Sequence, residues 1–186
     1  TTFKVNKVDT DDIKVIDQGN GTVVVFVPGN GTGNVTIKVG NDTFNATVIN
    51  GTAVVNLTNV TPGEHNITVI YSGDENHTNA TVDATVTIPK LVTPIDVTVA
   101  NIDVGEAATI VVTVPEGATG EVTIEINGVK YTEEIIDGKA TFTVENLTAG
   151  IKTVAVDYVG DNNYTGNHTT ANFTVSKIVP EITVSA

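Results

Sequence analysis

The residues with the most evident chemistry in this sequence are asparagines that stand two positions before a threonine. This Asn-x-Thr spacing accepts N-linked glycans, and it occurs fifteen times in the 186 residues. Five occurrences, at Asn34, Asn45, Asn56, Asn66 and Asn172, are explained by exposed strands, where residues two apart point to the same face without any sugar. The remaining ten are the glycosylation candidates: Asn20, Asn30, Asn41, Asn50, Asn59, Asn76, Asn79, Asn146, Asn163 and Asn167. Their number favours an extracellular, N-glycosylated surface.

Acidic residues form a second group of candidates, because calcium prefers hard oxygen ligands. The run Asp9-Thr10-Asp11-Asp12 can supply such ligands, and so can Asp74 and Asp161, which each follow a Tyr-x-Gly sequence. The alternative is that the run is a solvated loop and that Asp74 and Asp161 hydrogen-bond their own turns. We expect this alternative, so the sequence predicts neither a cofactor nor a bound metal.

Catalytic residues are not arranged as any familiar reaction requires. The three histidines, His65, His77 and His168, lack metal-ligand spacing, and cysteine is absent. Glu133 and Glu134 are neighbours on a predicted strand, so their side chains point to opposite faces and cannot cooperate. The sequence also has no nucleophile elbow, phosphate loop or dinucleotide fingerprint. We therefore predict that the chain is not an enzyme.

The charge excludes two classes of partner. The chain has 9 lysines, no arginine and 22 acidic residues, which give a net charge of −13. Nucleic acid and anionic lipid both require a basic surface, so neither is an expected partner. No run of about 18 apolar residues occurs, and we expect no direct membrane insertion. Because methionine is also absent, we expect the chain to be a piece of a longer or processed protein.

A Tyr-x-Gly-Asp sequence occurs twice, at Tyr71-Ser72-Gly73-Asp74 and at Tyr158-Val159-Gly160-Asp161. A tyrosine that faces inward at the end of a strand packs its ring in the core and ties a neighbouring loop with its hydroxyl. The glycine permits a backbone conformation that a side chain would obstruct, and the aspartate can hydrogen-bond its own turn. These physical roles predict a structural motif made of Tyr71, Gly73, Asp74, Tyr158, Gly160 and Asp161.

The whole sequence repeats itself at an offset of 87 residues. Over residues 27–90 the two copies match without a gap, with 22 identities in 64 positions. The offset predicts two domains, residues 1–90 and residues 91–177. Residues 178–186 resemble the start of the second copy, so we interpret them as the opening strand of a next repeat or as a C-terminal extension.

Each copy is predicted to be an all-β sandwich. Hydrophobic residues make up 40% of the chain and aromatic residues 5%, so the cores must consist mainly of Val, Ile and Ala. Short alternating segments rich in Val and Thr are separated by Gly, Asn and Pro turn signals, the spacing typical of a sandwich. Phe26 aligns with Thr113, which indicates that Val23, Val25 and Val27 face the core. The expected strands are 3–8, 22–27, 34–39, 43–49, 52–57, 65–71 and 80–88, then 95–99, 109–114, 121–126, 129–136, 139–144, 151–158 and 168–175.

The two segments Tyr71–His77 and Tyr158–Tyr164 resemble the Tyr-x-Gly-Asp-x-x-Tyr pattern of bacterial-type immunoglobulin-like repeats. The first copy departs from this pattern because His77 stands where the second copy has Tyr164. Such repeats are strung in large numbers through adhesin-like cell-surface proteins, especially those of methanogenic archaea. The resemblance covers nearly all of both copies and implies two tandem immunoglobulin-like β-sandwiches outside the cell, attached to its surface or wall.

Two functions are consistent with these observations. In the first, the copies are structural stalk repeats that project a distal binding region for cell adhesion, with neighbouring repeats of the same chain as their partners. In the second, the repeats themselves bind a host or microbial surface glycan or a protein. Sugar-binding faces usually expose aromatic rings, and this chain has no tryptophan and few tyrosines and phenylalanines. The first function is therefore favoured.

Overall fold

The chain forms two compact units, which divide between Lys90 and Leu91. The computed structural model describes residues 5–179. Within them the regular structure is β-strand, apart from one turn of 3-10 helix at Pro28–Asn30. The prediction of an all-β fold with two tandem sandwiches is confirmed, because each unit contains two sheets built from strands of its own copy.

Unit 1 contains seven strands in its described part. They are β1 (Lys14–Asp17), β2 (Thr22–Phe26), β3 (Asn34–Val39), β4 (Asp42–Thr47), β5 (Thr52–Asn56), β6 (Gly63–Tyr71) and β7 (Ala80–Ile88). One sheet has the order β1-β2-β5 and the other has the order β4-β3-β6-β7. All neighbouring strands in these two sheets are antiparallel.

Unit 2 repeats this architecture. Its strands are β8 (Asp96–Val99), β9 (Ile102–Asp103), β10 (Ala108–Thr113), β11 (Glu121–Ile126), β12 (Val129–Glu134), β13 (Lys139–Val144), β14 (Gly150–Gly160) and β15 (Thr165–Ser176). The sheets have the orders β13-β10-β8 and β12-β11-β14-β15-β9. Only the short pair of β15 with β9 is parallel among these neighbours.

Alternating side chains from both sheets fill the core of each unit. Val23 and Val25 are fully buried and Val27 is 4% exposed, whereas Phe26 is 41% exposed, as the comparison of the copies predicts. In unit 2, Phe142 of β13 has the same inward orientation and is 1% exposed. Burying one Val or Ile side chain contributes about 1.5–3 kcal/mol, so a core without tryptophan or methionine can still stabilise a domain of this size.

The prediction of a first strand at residues 3–8 is wrong. Residues 3 and 4 lie outside the described range, and within 5–8 only Val8 pairs, in an isolated parallel bridge with His77. Within residues 5–179 the first strand is instead Lys14–Asp17, which pairs with β2. The leading segment of unit 1, which is the part of the chain before β2, is therefore divided: Val8 forms a bridge with His77, ahead of β7, whereas β1 joins the sheet of β2 and β5. A strand of four residues directly after an acidic run gives little alternation by which to recognise it.

The predicted opening strand at residues 178–186 lies mostly outside the described residues. Ile178 and Val179 are described, exposed and without regular structure. The interpretation of this segment as the start of a next repeat stays a prediction.

Candidate functional site

The Tyr-x-Gly-Asp motif lies at the end of β6 in unit 1 and at the end of β14 in unit 2. It contacts the loop after β2 in unit 1 and the loop after β10 in unit 2. The rings of Tyr71 and Tyr158 are buried, with exposures of 0% and 1%. The hydroxyl of Tyr71 donates a hydrogen bond to the carbonyl oxygen of Thr32 at 2.6 Å, and that of Tyr158 donates to Thr119 at 3.1 Å. Thr32 and Thr119 are themselves 87 residues apart, so the same loop is tied in the same way twice.

The aspartate of the motif joins its own turn to the same loop. In unit 2, Asp161 Oδ1 accepts hydrogen bonds from the backbone N–H groups of Asn163 at 2.8 Å and Tyr164 at 2.7 Å. Its Oδ2 accepts from the backbone N–H of Thr119 at 2.7 Å and from the Thr119 hydroxyl at 2.9 Å. Both carboxylate oxygens therefore bind groups of the protein itself.

Unit 1 contains the same four hydrogen bonds. Asp74 Oδ1 accepts from the N–H groups of Asn76 at 2.8 Å and His77 at 2.7 Å. Asp74 Oδ2 accepts from the N–H of Thr32 at 2.7 Å and from its hydroxyl at 3.0 Å. We call the residues that make these bonds the Tyr–Asp network: Tyr71, Thr32, Asp74, Asn76 and His77 in unit 1, and Tyr158, Thr119, Asp161, Asn163 and Tyr164 in unit 2.

The hydrogen bonds shift the acidity of both side chains. For Asp74, the bond from the Thr32 N–H is the largest cause of a pKa well below the usual value. For Asp161, burial opposes ionisation, but the bonds from Thr119, Tyr164 and Asn163 outweigh it and lower the pKa to about 2. Burial, with the nearby aspartate charge, raises the pKa of each motif tyrosine to about 12. At neutral pH the aspartates are thus ionised acceptors and the tyrosines are protonated donors.

The glycine of the motif is required by both conformation and space. Gly160 has a φ of +85°, and a Cβ there would lie 2.5 Å from the backbone nitrogen of Gly166 and 2.7 Å from the Tyr164 carbonyl oxygen. Gly73 has a φ of +74° and is similarly enclosed by the backbone of residues 77–79. The returning chain can approach the turn this closely only because no side chain intervenes.

The two units differ at the last motif position, where His77 replaces Tyr164. Tyr164 donates its hydroxyl to the Glu116 carbonyl oxygen at 2.9 Å. His77 is 6% exposed, and its Nδ1 lies 2.8 Å from Asp74 Oδ1. Its other ring nitrogen lies over Gly29, where an added Cβ would be only 2.7 Å away. Gly29 aligns with Glu116, so both side chains reach the same loop.

The acidic run is placed by a buried threonine. Thr10 is 0% exposed and its hydroxyl donates to the Thr78 carbonyl oxygen at 2.8 Å, while Asp9, Asp11 and Asp12 point into solvent. Thr93 has the same role in unit 2, where its hydroxyl donates to Thr165 at 2.6 Å. Within residues 5–179, no group of three or more His, Cys, Asp or Glu side chains is arranged to hold a metal ion. Sequence reasoning missed both threonines, because a lone threonine gives no signal of such an anchor.

Nine of the ten glycosylation candidates are exposed. Asn30, Asn50, Asn59 and Asn146 have φ between +48° and +60°, which places them at tight turns. Asn167 differs from the others: it is half-buried, and its Nδ2 donates a hydrogen bond to the Thr93 carbonyl oxygen at 2.6 Å. The nitrogen that would carry a sugar is therefore engaged at this one candidate.

The Asn-x-Thr sequences on strands pair with one another. The Thr36 hydroxyl donates to Asn45 Oδ1 at 2.7 Å, and the Thr47 hydroxyl donates to Asn34 Oδ1 at 3.3 Å, across β3 and β4. Similar bonds join Thr22 to Asn56 and Thr153 to Asn172. Cross-strand bonds of this kind contribute to sheet stability, so these asparagines have a structural role whether or not they carry a glycan.

A shallow depression of about 430 Å³ lies on the outward face of the larger sheet of unit 2. Ala155 of β14 is among its lining residues, and this small side chain stands directly between Glu125 of β11 and Thr170 of β15. Two cross-strand pairs also line it: Glu125 opposite Lys130, and Asp157 opposite His168. The depression therefore presents hydroxyl, carboxylate and basic groups together.

Comparison with protein families gives one match that covers most of the chain. The model of the "Bacterial Ig-like domain (group 3)" family matches twice, at residues 7–89 and 95–176. No curated protein matches. Within residues 5–179 the structure contains no helix of the length and hydropathy needed to cross a bilayer.

Solved structures of low sequence identity also match the chain. The fibronectin(III)-like modules of Clostridium thermocellum CbhA are 11% identical, with 94% of this chain and 99% of that chain covered and a TM-score of 0.39. The titin domains z1z2, solved in complex with telethonin, are 13% identical, with 93% of each chain covered and a TM-score of 0.38. The FN1–FN3 domains of chicken CNTN1 are 14% identical, with 91% and 67% covered and a TM-score of 0.31.

Proposed function

The chain belongs to the bacterial Ig-like domain family, group 3, as two tandem repeats, and we propose that these are non-catalytic structural repeats of an N-glycosylated cell-surface adhesin. In this proposal they stand outside the cell, attached to its surface or wall, and hold a distal binding region away from it. Tandem Ig-like domains fit a structural repeat role, and such domains are commonly extracellular and typically non-enzymatic. Their direct partners are the neighbouring repeats of the same chain.

The observation that carries the proposal is the duplication of the Tyr–Asp network. Both copies keep the same hydrogen bonds, and each bond joins one part of a unit to another part of the same unit. A ligand site would leave carboxylate oxygens available, whereas here Asp74 and Asp161 each accept at least four bonds from their own unit. The motif is therefore best explained as a stabilising device that every repeat needs.

The pairing of the leading segments supports a mechanical role. Val8 and Leu91 form parallel bridges with His77 and Tyr164, which lie just before the last long strand of each unit. When the ends of a unit are pulled apart, parallel first and last segments slide along each other, and their hydrogen bonds bear the load together. In unit 2 the parallel pair of β9 with β15 adds a second such contact.

Force spectroscopy on the full chain tests this role. We expect two unfolding events, each releasing roughly 280 Å of chain, which is about 80 residues at about 3.5 Å each. Thr93→Val should lower the force of one event, because it removes the bond to Thr165, while Thr98→Val on an exposed strand position is the control. Extension without resolvable force peaks would contradict a load-bearing repeat.

Glycopeptide mapping of the chain from its native source tests the glycan part separately. We expect sugars on exposed turn asparagines such as Asn59 and Asn146, and an unmodified Asn167. As a matched control, Thr81→Ala removes the acceptor sequence of Asn79 and should remove only the glycan at that asparagine. A chain without any glycopeptide would refute this part and leave the mechanical part standing.

A second function, ligand binding by the repeats themselves, is supported by the depression on unit 2. Its hydroxyl and charged groups suit a polar ligand such as a carbohydrate, with acidic side chains accepting bonds from sugar hydroxyls. A glycan array followed by titration calorimetry tests it. Ala155→Leu should abolish any binding by filling the floor, whereas Thr68→Leu at the equivalent position of unit 1 should not. Binding that survives Ala155→Leu would place the ligand elsewhere.

A further inference from the structure

The outward face of the sheet β1-β2-β5 in unit 1 carries adjoining apolar side chains. Ile16, Val24 and Val54 lie side by side across the three strands. In the neighbouring row, Phe26 pairs with Thr52, and Thr52 pairs in turn with Ile49. Val24 lies between the buried Val23 and Val25, so it points away from the core. Phe26 is 41% exposed, Val54 56% and Ile49 68%. We call Ile16, Val24, Phe26, Ile49 and Val54 the apolar face.

The fold does not require an apolar residue at every one of these positions, because unit 2 keeps Val111 and the exposed Ile136 at the positions of Val24 and Ile49 but has polar residues at the other three. Thr113 stands where unit 1 has Phe26, and Thr141 stands where unit 1 has Val54. Val111 aligns with Val24, and it pairs with Thr98, whereas Val24 pairs with Ile16. Because adjoining exposed apolar side chains are stabilised when a partner covers them, this face is a candidate interaction surface.

The charge on this face is as unusual as its hydropathy. The chain carries a net charge of −13, yet the outward positions of β1, β2 and β5 hold no carboxylate, and Lys14 is their one charged residue. Two copies of such an acidic chain repel each other over most surfaces. They can approach through this face without bringing carboxylates together.

We propose that the apolar face of unit 1 binds the same face of a second copy of the chain. A two-fold arrangement is self-complementary here, because Phe26 projects beside the smaller Thr52 and Val54. The ring of one copy can therefore lie over the small side chains of the other. Outward sheet faces pack at about 10 Å with interdigitating side chains, as the two sheets inside a sandwich do.

The size of the face predicts a weak, reversible dimer. Three strands about 4.8 Å apart and about five residues long cover roughly 14 by 17 Å. A symmetric pair of such faces buries well under the ~1,600 Å² of a standard interface, in the range of transient contacts. Association is therefore concentration-dependent and must be measured up to high concentration.

Sedimentation equilibrium of the full chain over a concentration series tests the proposal. We expect the average mass to rise toward that of two chains. Phe26→Thr with Val54→Thr, the residues of unit 2 at these positions, should weaken association at least ten-fold with an unchanged circular dichroism spectrum. The matched control is Val129→Thr with Val159→Thr, two exposed strand positions of unit 2, which should dimerise like the unsubstituted chain.

A converse variant keeps the test decisive if the first does not fold. Thr113→Phe with Thr141→Val places the apolar residues on unit 2 and should strengthen association or produce species larger than a dimer. A chain that stays monomeric at the highest concentration overturns the proposal. Dimers that persist in the Phe26→Thr, Val54→Thr variant also overturn it, because the contact must then lie elsewhere.

Discussion

Replacing the motif tyrosines by phenylalanine removes one hydroxyl from each unit and nothing else. Tyr71→Phe deletes the 2.6 Å bond to Thr32, and Tyr158→Phe deletes the 3.1 Å bond to Thr119. The rings stay buried, so the packing contribution to stability is unchanged. The variants therefore measure what the hydroxyl contributes, through the loop carbonyl oxygen and through the neighbouring motif aspartate.

The loss in the free energy of unfolding depends on whether another donor, such as water, replaces the tyrosine hydroxyl at the carbonyl oxygen. A typical hydrogen bond contributes about 0.5–1.5 kcal/mol, and leaving a buried acceptor unpaired costs about 1–3 kcal/mol. Thr32 and Thr119 are exposed, so water can reach the vacated oxygen. We therefore expect each variant to lose about 1 kcal/mol, which lowers the melting temperature of a domain of this size by about 4–8 °C.

Thermal unfolding of the full chain measures the loss, and hydrogen exchange of peptides from each unit locates it. Tyr131→Phe is the matched control, because the Tyr131 side chain is half-buried and its hydroxyl makes no hydrogen bond to another described residue. The control should change the melting temperature by less than about 1 °C. If Tyr71→Phe and Tyr158→Phe behave like Tyr131→Phe, the hydroxyls do not stabilise the fold and the structural interpretation of the motif fails.

Three further outcomes follow from the same network. Asp161 has its pKa lowered from 3.8 to about 2, so the stability that its carboxylate contributes is complete above about pH 4 and is lost as the pH falls toward 2. Asp161→Asn should therefore lower the melting temperature of unit 2 at pH 7 but not at pH 2. An equal loss at both pH values would contradict this. Gly105→Ala should lower the free energy of unfolding by about 1–2 kcal/mol, because of its positive φ alone. Gly160→Ala should lower it further in denaturant titrations, because backbone atoms occupy the space that its Cβ needs. Equal losses would show that the turn around Gly160 can relax. Millimolar calcium should leave the melting temperature unchanged, and a rise that disappears in Asp74→Ala would instead assign the motif to a metal.

The fold was predictable where local pattern and repetition agree. Alternation placed most strands, and comparison of the copies indicated correctly that Phe26 points outward, because the core of unit 2 cannot depend on Thr113 at that position. The division of the leading segment was not predictable. Its position depends on bonds from Val8 and Thr10 to the backbone of residues 76–78, which no local pattern encodes.

The network was predictable in its parts but not in its partners. Tyrosine, glycine and aspartate at fixed spacing indicated a turn closed by its own side chains. The partner loop lies 42 residues away along the chain in both units, and nothing in Thr32 or Thr119 distinguishes them from other threonines. The engaged nitrogen of Asn167 was hidden for the same reason, since its partner Thr93 lies on the leading segment.

Strand asparagines show why counting acceptor sequences cannot separate glycosylation from sheet structure. In an antiparallel pair the sum of opposing residue numbers is constant, so two Asn-x-Thr sequences in register place each asparagine opposite the threonine of the other. Asn34 opposite Thr47 and Thr36 opposite Asn45 are such a pair. Both bonds use the asparagine Oδ1, whereas a glycan is attached to Nδ2. The cross-strand hydrogen bond and the glycan thus use different atoms of one side-chain amide. A sequence rich in Asn-x-Thr can therefore serve sheet pairing and glycosylation at the same positions.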